Sequence, residues 1–526
     1  MAFYVIIGVD AHIANCAYSN YLRYMDIPKY VEKIVKDLEK AGFEAYVVGG
    51  CVRDLLLSRL ATTNGDHTNY KNVTPKDWDI TTNARPDDML KTLDNAKYEN
   101  IFGTVLVPVK NKEGKTEDVV EVTTFRSEQG YSDRRHPDSI KFEDSLDKDL
   151  ERRDFTINAM ALKLKVESLK LKENDYEIID LFGGEKDLKK KIIRAVGEPV
   201  DRFKEDALRM MRAIRFSCQL GFEIEEKTLR AIKKLAGNIK FVSNERIKDE
   251  LIKIIESDRA YEGIMFLHGN KMLQYIIPEI ERGVGVGQNR HHTYTVFKHS
   301  VLSLKNCPNR DWRVRLASLL HDIAKPQTKK MIKGDFTFYN HDIVGAKVVK
   351  KIMTRLKFSN TDIEKVTNLV RYHMFYYNVD EVTESSVRRL IVKVGKENLQ
   401  DLIDLRVADR LGSGVPKAKP YKLRHLEYMM EKVQKDPVSV KMLKINGDYM
   451  ISNLKFEPGP KMGAILDVLL SEVIEEPKLN NLKYLEKRSR ELEKLELNEL
   501  REKAKEKIED RKMEDDEELK KGFWVK

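Results

Sequence analysis

Two groups of side chains in this chain have the types and spacing for phosphorus chemistry. The first is Gly49-Gly50-Cys51-Val52-Arg53-Asp54, followed across a polar stretch by Asp77-Trp78-Asp79. Glycines ahead of a helix expose backbone N–H groups that receive anions. Arg53 adds a cationic fork for the same phosphates. Asp77 and Asp79 supply two hard oxygen donors of the kind that hold Mg²⁺ while leaving its other positions to water and substrate phosphates. A lone Gly-Gly is ordinarily a tight turn and a lone Asp-x-Asp a solvated edge; their order along the chain is what favours chemistry. The second group is a concentration of imidazoles: His291, His292, His299, His321, His341 and His373 are six of the eleven histidines. Imidazoles mixed with carboxylates suit Mn²⁺, Ni²⁺, Fe²⁺ or Zn²⁺ better than Mg²⁺.

The elements that must position these groups can be read from periodicity. Phe43 to Val48 is apolar and β-branched and reads as a buried strand entering the glycine turn, and Val52 to Leu60 reads as the helix leaving it. In Asp77-Trp78-Asp79-Ile80 the alternation of a strand sends both carboxylates to one face and Trp78 to the other. Residues 27–164 alternate helix and strand signals, and helical spacing dominates from Ile178 onward. Asp201 to Leu220 reads as one helix, and Ser243-Asn244-Glu245-Arg246 as the start of another. The fold class expected is α+β, a head with a mixed β-sheet followed by a mostly helical remainder. A length of 526 residues exceeds what one core usually serves. The net charge of +10 fits a polyanionic partner. Cys16, Cys51, Cys218 and Cys307 show no metal or disulfide spacing. No stretch is apolar and long enough to span a bilayer and no secretory signal is recognisable, so a cytoplasmic location is expected.

The glycine and Asp-x-Asp motifs are followed by Thr123-Thr124-Phe125-Arg126, Tyr131 to Pro137, Arg152 to Met160 and Glu205-Asp206-Ala207-Leu208-Arg209. In that order they resemble the class II tRNA nucleotidyltransferase and poly(A) polymerase family, most closely the CCA-adding type that carries an HD domain. The resemblance runs from about Met25 to about Arg490 and leaves residues 1–24 as an extension of uncertain status, with Met25 the expected start. It implies a nucleotidyltransferase head over 25–165, a nucleotide-selecting, RNA-binding neck over 166–280, an HD domain over 281–420 and a tRNA-binding tail over 421–526. It also implies a nucleotide site built from Gly50, Arg53, Arg153, Asp154, Asp206, Arg209, Arg212 and Arg215, with Asp77 and Asp79 as catalytic metal ligands for Mg²⁺. Asp154 is expected to meet a ribose hydroxyl. Asp206 and Arg209 are expected to read the base: cytosine and adenine each present an amine beside a bare ring nitrogen, which an Asp and an Arg can satisfy together. Arg212 and Arg215 are expected to brace these residues or touch phosphate. Glu121 is a candidate third carboxylate that is equally a plain strand-edge acid.

His299, His321-Asp322, His341, His373 and Asp409 resemble the HD phosphohydrolase superfamily. The resemblance implies a transition-metal site, with His299, His321, Asp322 and Asp409 on one ion and His341 and His373 extending it to two, and a phosphatase or 2′,3′-cyclic phosphodiesterase activity. The expected function is untemplated addition of C, C and A to tRNA from CTP and ATP. The alternatives are a poly(A) polymerase of the same family or an HD phosphohydrolase whose head only binds RNA. The family's loop at 130–140 is retained at full length, which favours complete C, C, A addition, whereas residues 60–73 are a polar insertion the family generally lacks. The oligomeric state is not legible.

Overall fold

The computed structural model describes residues 25–63, 75, 77–100, 103–111, 113–129, 139–165, 170–171, 175–288, 293–332, 335–375, 378–379, 384–434, 443–475 and 477–503. Most of the 60–73 insertion, the 131–137 motif, His291 and His292 lie outside the described residues.

The head is built on a seven-stranded mixed sheet. Its strands are β1 (Ala45–Val48), β2 (Asp79–Thr82), β3 (Lys97–Asn100), β4 (Thr104–Lys110), β5 (Thr116–Thr124), β6 (Met160–Leu164) and β7 (Tyr176–Asp180), in the spatial order β7-β6-β1-β2-β5-β4-β3. β2 and β5 run parallel and the remaining pairs are antiparallel. Alternation along β1 divides its side chains between two cores. Ala45 and Val47 join the large core with helices α1 (Lys29–Lys40) and α2 (Gly50–Thr63), while Tyr46 and Val48 pack with Phe125 against Leu146 and Leu150 of α3 (Leu146–Glu151). The sheet passes the boundary expected at residue 165, because β7 pairs along its whole length with β6.

The helix expected over Asp201 to Leu220 is two helices, α4 (Pro199–Glu205) and α5 (Leu208–Leu220). Asp206 breaks the run with extended backbone (φ −137, ψ 106), and its Oδ1 accepts the Leu208 N–H at 3.0 Å. An Asp that satisfies a free N–H at a helix start competes with continued helix. The break leaves no trace in the hydrophobic period because Phe203, Met210, Met211 and Ile214, one on α4 and three on α5, bury into one core. Each such side chain contributes about 1.5–3 kcal/mol on full burial. α6 (Asn244–Glu256) begins at the expected Ser243 and packs on α5.

The body carries the second residue group on α7 (Val296–Lys305), α8 (Trp312–Leu320), α9 (His341–Arg355), α10 (Asn360–Tyr372) and α11 (Leu399–Gly412). A hairpin, β8 (Lys330–Ile332) and β9 (Asp335–Thr337), connects α8 to α9. One continuous core extends from Ile27 to Met430, so Leu423, Leu426 and Met430 of the helix Tyr421–Gln434 pack with the body. The segment from Leu443 to Leu500 forms its own core, which includes Leu485, Leu492 and Leu500 at approximately helical spacing.

Candidate active sites

The first site is a cleft of about 900 Å³ on the face of the sheet that α3 covers. Sheet register creates its acidic wall: Val48 is paired with Asp79 and Asp79 with Glu121, so Gly49 follows directly beside the Asp79 carboxylate. Gly49 has φ +83, and a Cβ there would lie 3.1 Å from Arg153 Nη1 and 3.2 Å from Asp79 Oδ2. Only glycine takes this conformation freely and leaves room for both side chains. Gly50 opens α2, and Gly49, Gly50 and Cys51 line the cleft at the helix start, where the first N–H groups have no partner within the helix. Asp77 stands exposed in the bend before β2, and Trp78 is buried on the opposite side as alternation requires.

Burial raises the Asp79 carboxyl, Arg153 opposes that rise and Asp77 adds to it. Glu121 is raised by loss of water first, then by Asp79, Glu99 and Asp77. Carboxylates such as Asp79 and Glu121, each raised in part by neighbouring carboxylates, fit a divalent cation. Among the described residues no three of their donor atoms lie within 4.8 Å of one another, so they converge less closely than the histidine sites below.

The opposite wall is arginine-rich and braced from beneath. Asp149, completely buried on α3, accepts from Arg152 Nε and Nη2 at 3.0 and 2.7 Å and from Arg153 Nη2 at 3.1 Å. Asp154 accepts from Arg212 Nε at 2.7 Å, from Asn158 Nδ2 at 3.2 Å and from its neighbour's N–H. Arg53 Nη1 donates to Asn158 Oδ1 at 2.8 Å. The guanidinium carbons of Arg53, Arg212 and Arg215 lie 5.2, 5.5 and 4.2 Å from the centre of the Phe216 ring, which holds three like charges together by its π face. Burial brings Arg215 down to about 10, partly offset by Glu250 at 3.1 Å.

All ten head and neck residues expected from sequence line this one cleft. Two of them depart from the single helix expected over Asp201 to Leu220: Asp206 lies at the break, Arg209 on α5, and each is held by another partner. Asp206 is gripped by Arg246 of α6, Nη1 to Oδ1 at 3.2 Å and Nη2 to Oδ2 at 2.7 Å. Arg209 bonds Glu205 at 2.5 Å and the Arg152 carbonyl at 3.0 Å. The helix break at Asp206 is the cause, since it removes that residue from the i, i+3 row. Asp149, Phe216 and Arg246 were not singled out from sequence. Arg246 sits within the helix start that was recognised, but nothing in the sequence pairs it with Asp206, forty residues away.

The second site lies wholly inside the body. Its donors form two trios, each with ligand atoms within 4.8 Å of one another: His299, His321 and Asp409, and Asp322, His341 and His373. Four of the six stand at helix ends, where the chain can turn them inward. His321-Asp322 follows α8, His341 opens α9 and His373 follows α10. His321 Nδ1 meets the Ser318 carbonyl at 2.8 Å, His341 Nδ1 the Phe338 carbonyl at 2.7 Å and His373 Nδ1 the Val370 carbonyl at 2.7 Å. Each Nδ1 therefore carries the proton, and each Nε2 presents a lone pair to the centre. There His299 and His321 approach Nε2 to Nε2 at 3.1 Å, and His341 and His373 at 3.3 Å. Buried Asp322 Oδ2 lies 3.2 Å from Nε2 of His299 and of His321 and 2.6 Å from Lys325 Nζ, yet none of these has hydrogen-bond geometry. Facing lone pairs and a buried carboxylate oxygen without hydrogen-bond geometry are what a cation would satisfy, and the two trios of donors fit one or two ions. Asp322 serves both trios: its Oδ2 faces His299 and His321, where the sequence reading put it, and its Oδ1 lies 3.4 Å from His341 Nε2.

Comparison with known proteins finds three family models in succession. The Poly A polymerase head domain matches residues 45–194, the probable RNA and SrmB-binding site of polymerase A matches 221–283, and the HD domain matches 290–413. The A-adding tRNA nucleotidyltransferase of Deinococcus radiodurans is 33% identical over 349 residues, covering 63% of this chain and 76% of that enzyme. The CCA-adding enzyme of Limosilactobacillus reuteri is 31% identical over 464 residues, covering 88% of this chain and 96% of that enzyme. That of Lactobacillus helveticus is 42% identical over 261 residues, which span 58% of its length. Among solved structures, the Bacillus stearothermophilus CCA-adding enzyme in complex with CTP superposes with a TM-score of 0.54 at 25% identity, covering 88% of this chain and 97% of that one. No described helix is long and apolar enough to cross a membrane.

Proposed function

Because the chain belongs to the tRNA nucleotidyltransferase family that includes the CCA-adding enzymes, we propose that it completes tRNA 3′ ends by adding C, C and A from CTP and ATP. The observation that carries this reading is the single cleft in which the glycine turn, the Asp77–Asp79–Glu121 wall and the Asp206–Arg209 edge converge. The α2 N-terminus and Arg53 receive the triphosphate, and Arg153, fixed by Asp149, holds it against Asp79. Asp154 and Asn158 form the ribose side. Asp206, locked by Arg246, still has lone pairs for an exocyclic amine, and Arg209 donates to the adjacent ring nitrogen. Uracil or guanine, with an oxygen beside an N–H, would set acceptor against acceptor at Asp206 and donor against donor at Arg209, which is a basis for rejection. Asp77 and Asp79 would hold Mg²⁺, whose chemistry there would be activation of the acceptor hydroxyl and neutralisation of charge on the leaving pyrophosphate.

The body is proposed as an accessory phosphohydrolase acting on phosphate or 2′,3′-cyclic phosphate ends. His299, His321, Asp322, His341, His373 and Asp409 would hold its Mn²⁺, Ni²⁺, Fe²⁺ or Zn²⁺, which supplies an activated water. We assign the head to 25–180, the neck to the helices up to residue 280, the HD body to 281–434 and a separate tRNA-binding tail to 443–503, in a cytoplasmic protein. A second reading, addition of the terminal A alone, is favoured by the Deinococcus relative. Extension of tRNAs ending at the discriminator base, at C and at CC, with each nucleotide separately, tests both. Incorporation of CTP on the first two and of ATP on the third is expected. Use of ATP alone, on the CC end only, would establish the second reading, and long ATP tracts on every end would establish a poly(A) polymerase.

A further inference from the structure

The three most exposed large apolar side chains among the described residues are Tyr339 at 72%, Met331 at 67% and Met374 at 56%. All three lie near the second trio of the body site along the chain. Met374 follows His373 directly, Tyr339 precedes His341 by two residues, and Met331 is on the hairpin that leads into Tyr339. Exposed apolar residues tied in this way to the segments that carry buried ligands differ from a scatter of single ones.

The backbone that shapes this rim also shapes the metal site. Phe338 provides the carbonyl that fixes His341 Nδ1, and Asn340, left-handed at φ +61, turns the chain so that Tyr339 projects outward while His341 turns in. On the hairpin, Met331 and Phe336 are cross-strand partners and so share one face. Lys329 Nζ lies 3.8 Å from the centre of the Phe336 ring and donates to the Gly287 carbonyl at 3.0 Å. Lys325 Nζ reaches Gln288 Oε1 at 2.7 Å, so the glycine-rich segment before α7 is tied to the same rim. Lys329, just before the hairpin, and Lys330 on it outnumber its one acid, Asp335.

Apolar and aromatic side chains interleaved with lysines, beside a phosphoester-cleaving centre, match a single-stranded nucleic acid. Bases stack on exposed rings without regard to sequence, and lysines follow the backbone. We propose that Tyr339, Met331 and Met374 form a stacking rim that seats the last nucleotides of a single-stranded RNA 3′ end, so that the body site prefers a polynucleotide terminus over a small phosphate ester. This rests on the phosphohydrolase reading of that site and names its substrate class.

The test compares an RNA hexamer ending in a 2′,3′-cyclic phosphate with bis(p-nitrophenyl) phosphate, using full-length protein with Mn²⁺ or Ni²⁺. Tyr339→Ala and Met331→Ser are expected to lower the ratio of kcat/KM for the hexamer to that for the small diester by roughly tenfold, mostly through KM. Equal loss on both substrates, or no change in the ratio, overturns the rim. If the wild type hydrolyses neither substrate, the phosphohydrolase reading fails by itself. The rim is then judged by photocrosslinking of the same hexamer carrying a terminal 4-thiouridine. A crosslink mapped to Tyr339, Met331 or Met374 supports it, and crosslinks elsewhere only overturn it. A change from oligomer to monomer on Tyr339→Ala, with no effect on RNA, would instead make the face a contact between copies and overturn the proposal.

Discussion

Replacing Arg246 with Met removes both hydrogen bonds that hold Asp206 while keeping most of the side chain's volume. The pair is partly buried, with 28% of the Arg246 side chain and 14% of the Asp206 side chain exposed, so screening is incomplete. A charge-assisted hydrogen bond contributes about 1.5–3 kcal/mol when buried. Asp206 keeps its bond to the Leu208 N–H, so it is loosened rather than freed. A net loss of about 2 kcal/mol in the transition state corresponds to roughly 30-fold in kcat/KM for CTP. The loss should be accompanied by weaker rejection of UTP, because a carboxylate that can swing away no longer confronts the uracil oxygen. The assay is single-turnover incorporation on a tRNA lacking its 3′ end, with CTP and UTP in separate reactions and melting curves to establish folding. Arg246→Lys, which restores one charge without the fork, should fall between. A folded Arg246→Met protein within threefold of wild type for CTP, with an unchanged CTP-to-UTP ratio, would refute the idea that Arg246 orients the base reader.

Asp77→Ala and Asp79→Ala are expected to abolish nucleotide incorporation and leave metal-dependent hydrolysis of a small phosphodiester intact, with His321→Ala doing the reverse; both rates are measured on each protein. Gly49→Ala should lose about 1–2 kcal/mol in denaturant unfolding, from its left-handed backbone, and should impair incorporation by displacing Arg153 or Asp79. Gly50→Ala, whose Cβ would meet nothing nearer than Arg53 Nη2 at 3.6 Å, should be milder in both measurements. Burial alone would raise the Asp149 carboxyl, but Arg152 and Arg153 hold it below its usual value. Its stabilisation is therefore complete above the unfolded carboxylate pKa of about 4 and is lost as pH falls toward the lower folded value. Asp149→Asn should destabilise the protein near neutral pH and flatten the acid side of the melting-temperature profile; an unchanged acid slope would show that the charge is not what holds the two arginines.

Sequence alone determined the chemistry available to this protein and much of its local structure. A glycine pair between a β-branched strand and a leucine-rich helix has few conformations open to it, and the Asp-x-Asp alternation and the histidines are likewise local, so the cleft's residues and both donor sets were legible. The tertiary structure decided which of these residues meet. Asp79 faces Glu121 because β2 and β5 pair in one register, and a slip of one residue would have turned the carboxylates to opposite faces. Asp206 leaves the row of Arg209, Arg212 and Arg215 and pairs with Arg246 because its side chain caps the next helix and interrupts a period that burial of both helices in one core disguised. Asp322 stands between His299 and His321 on one side and His341 on the other because four of the donors sit at helix ends, whose directions are set by packing between helices distant in sequence. Periodicity records which face of an element is buried. It does not record which partner that face will find, because that depends on the lowest-energy packing of the whole chain.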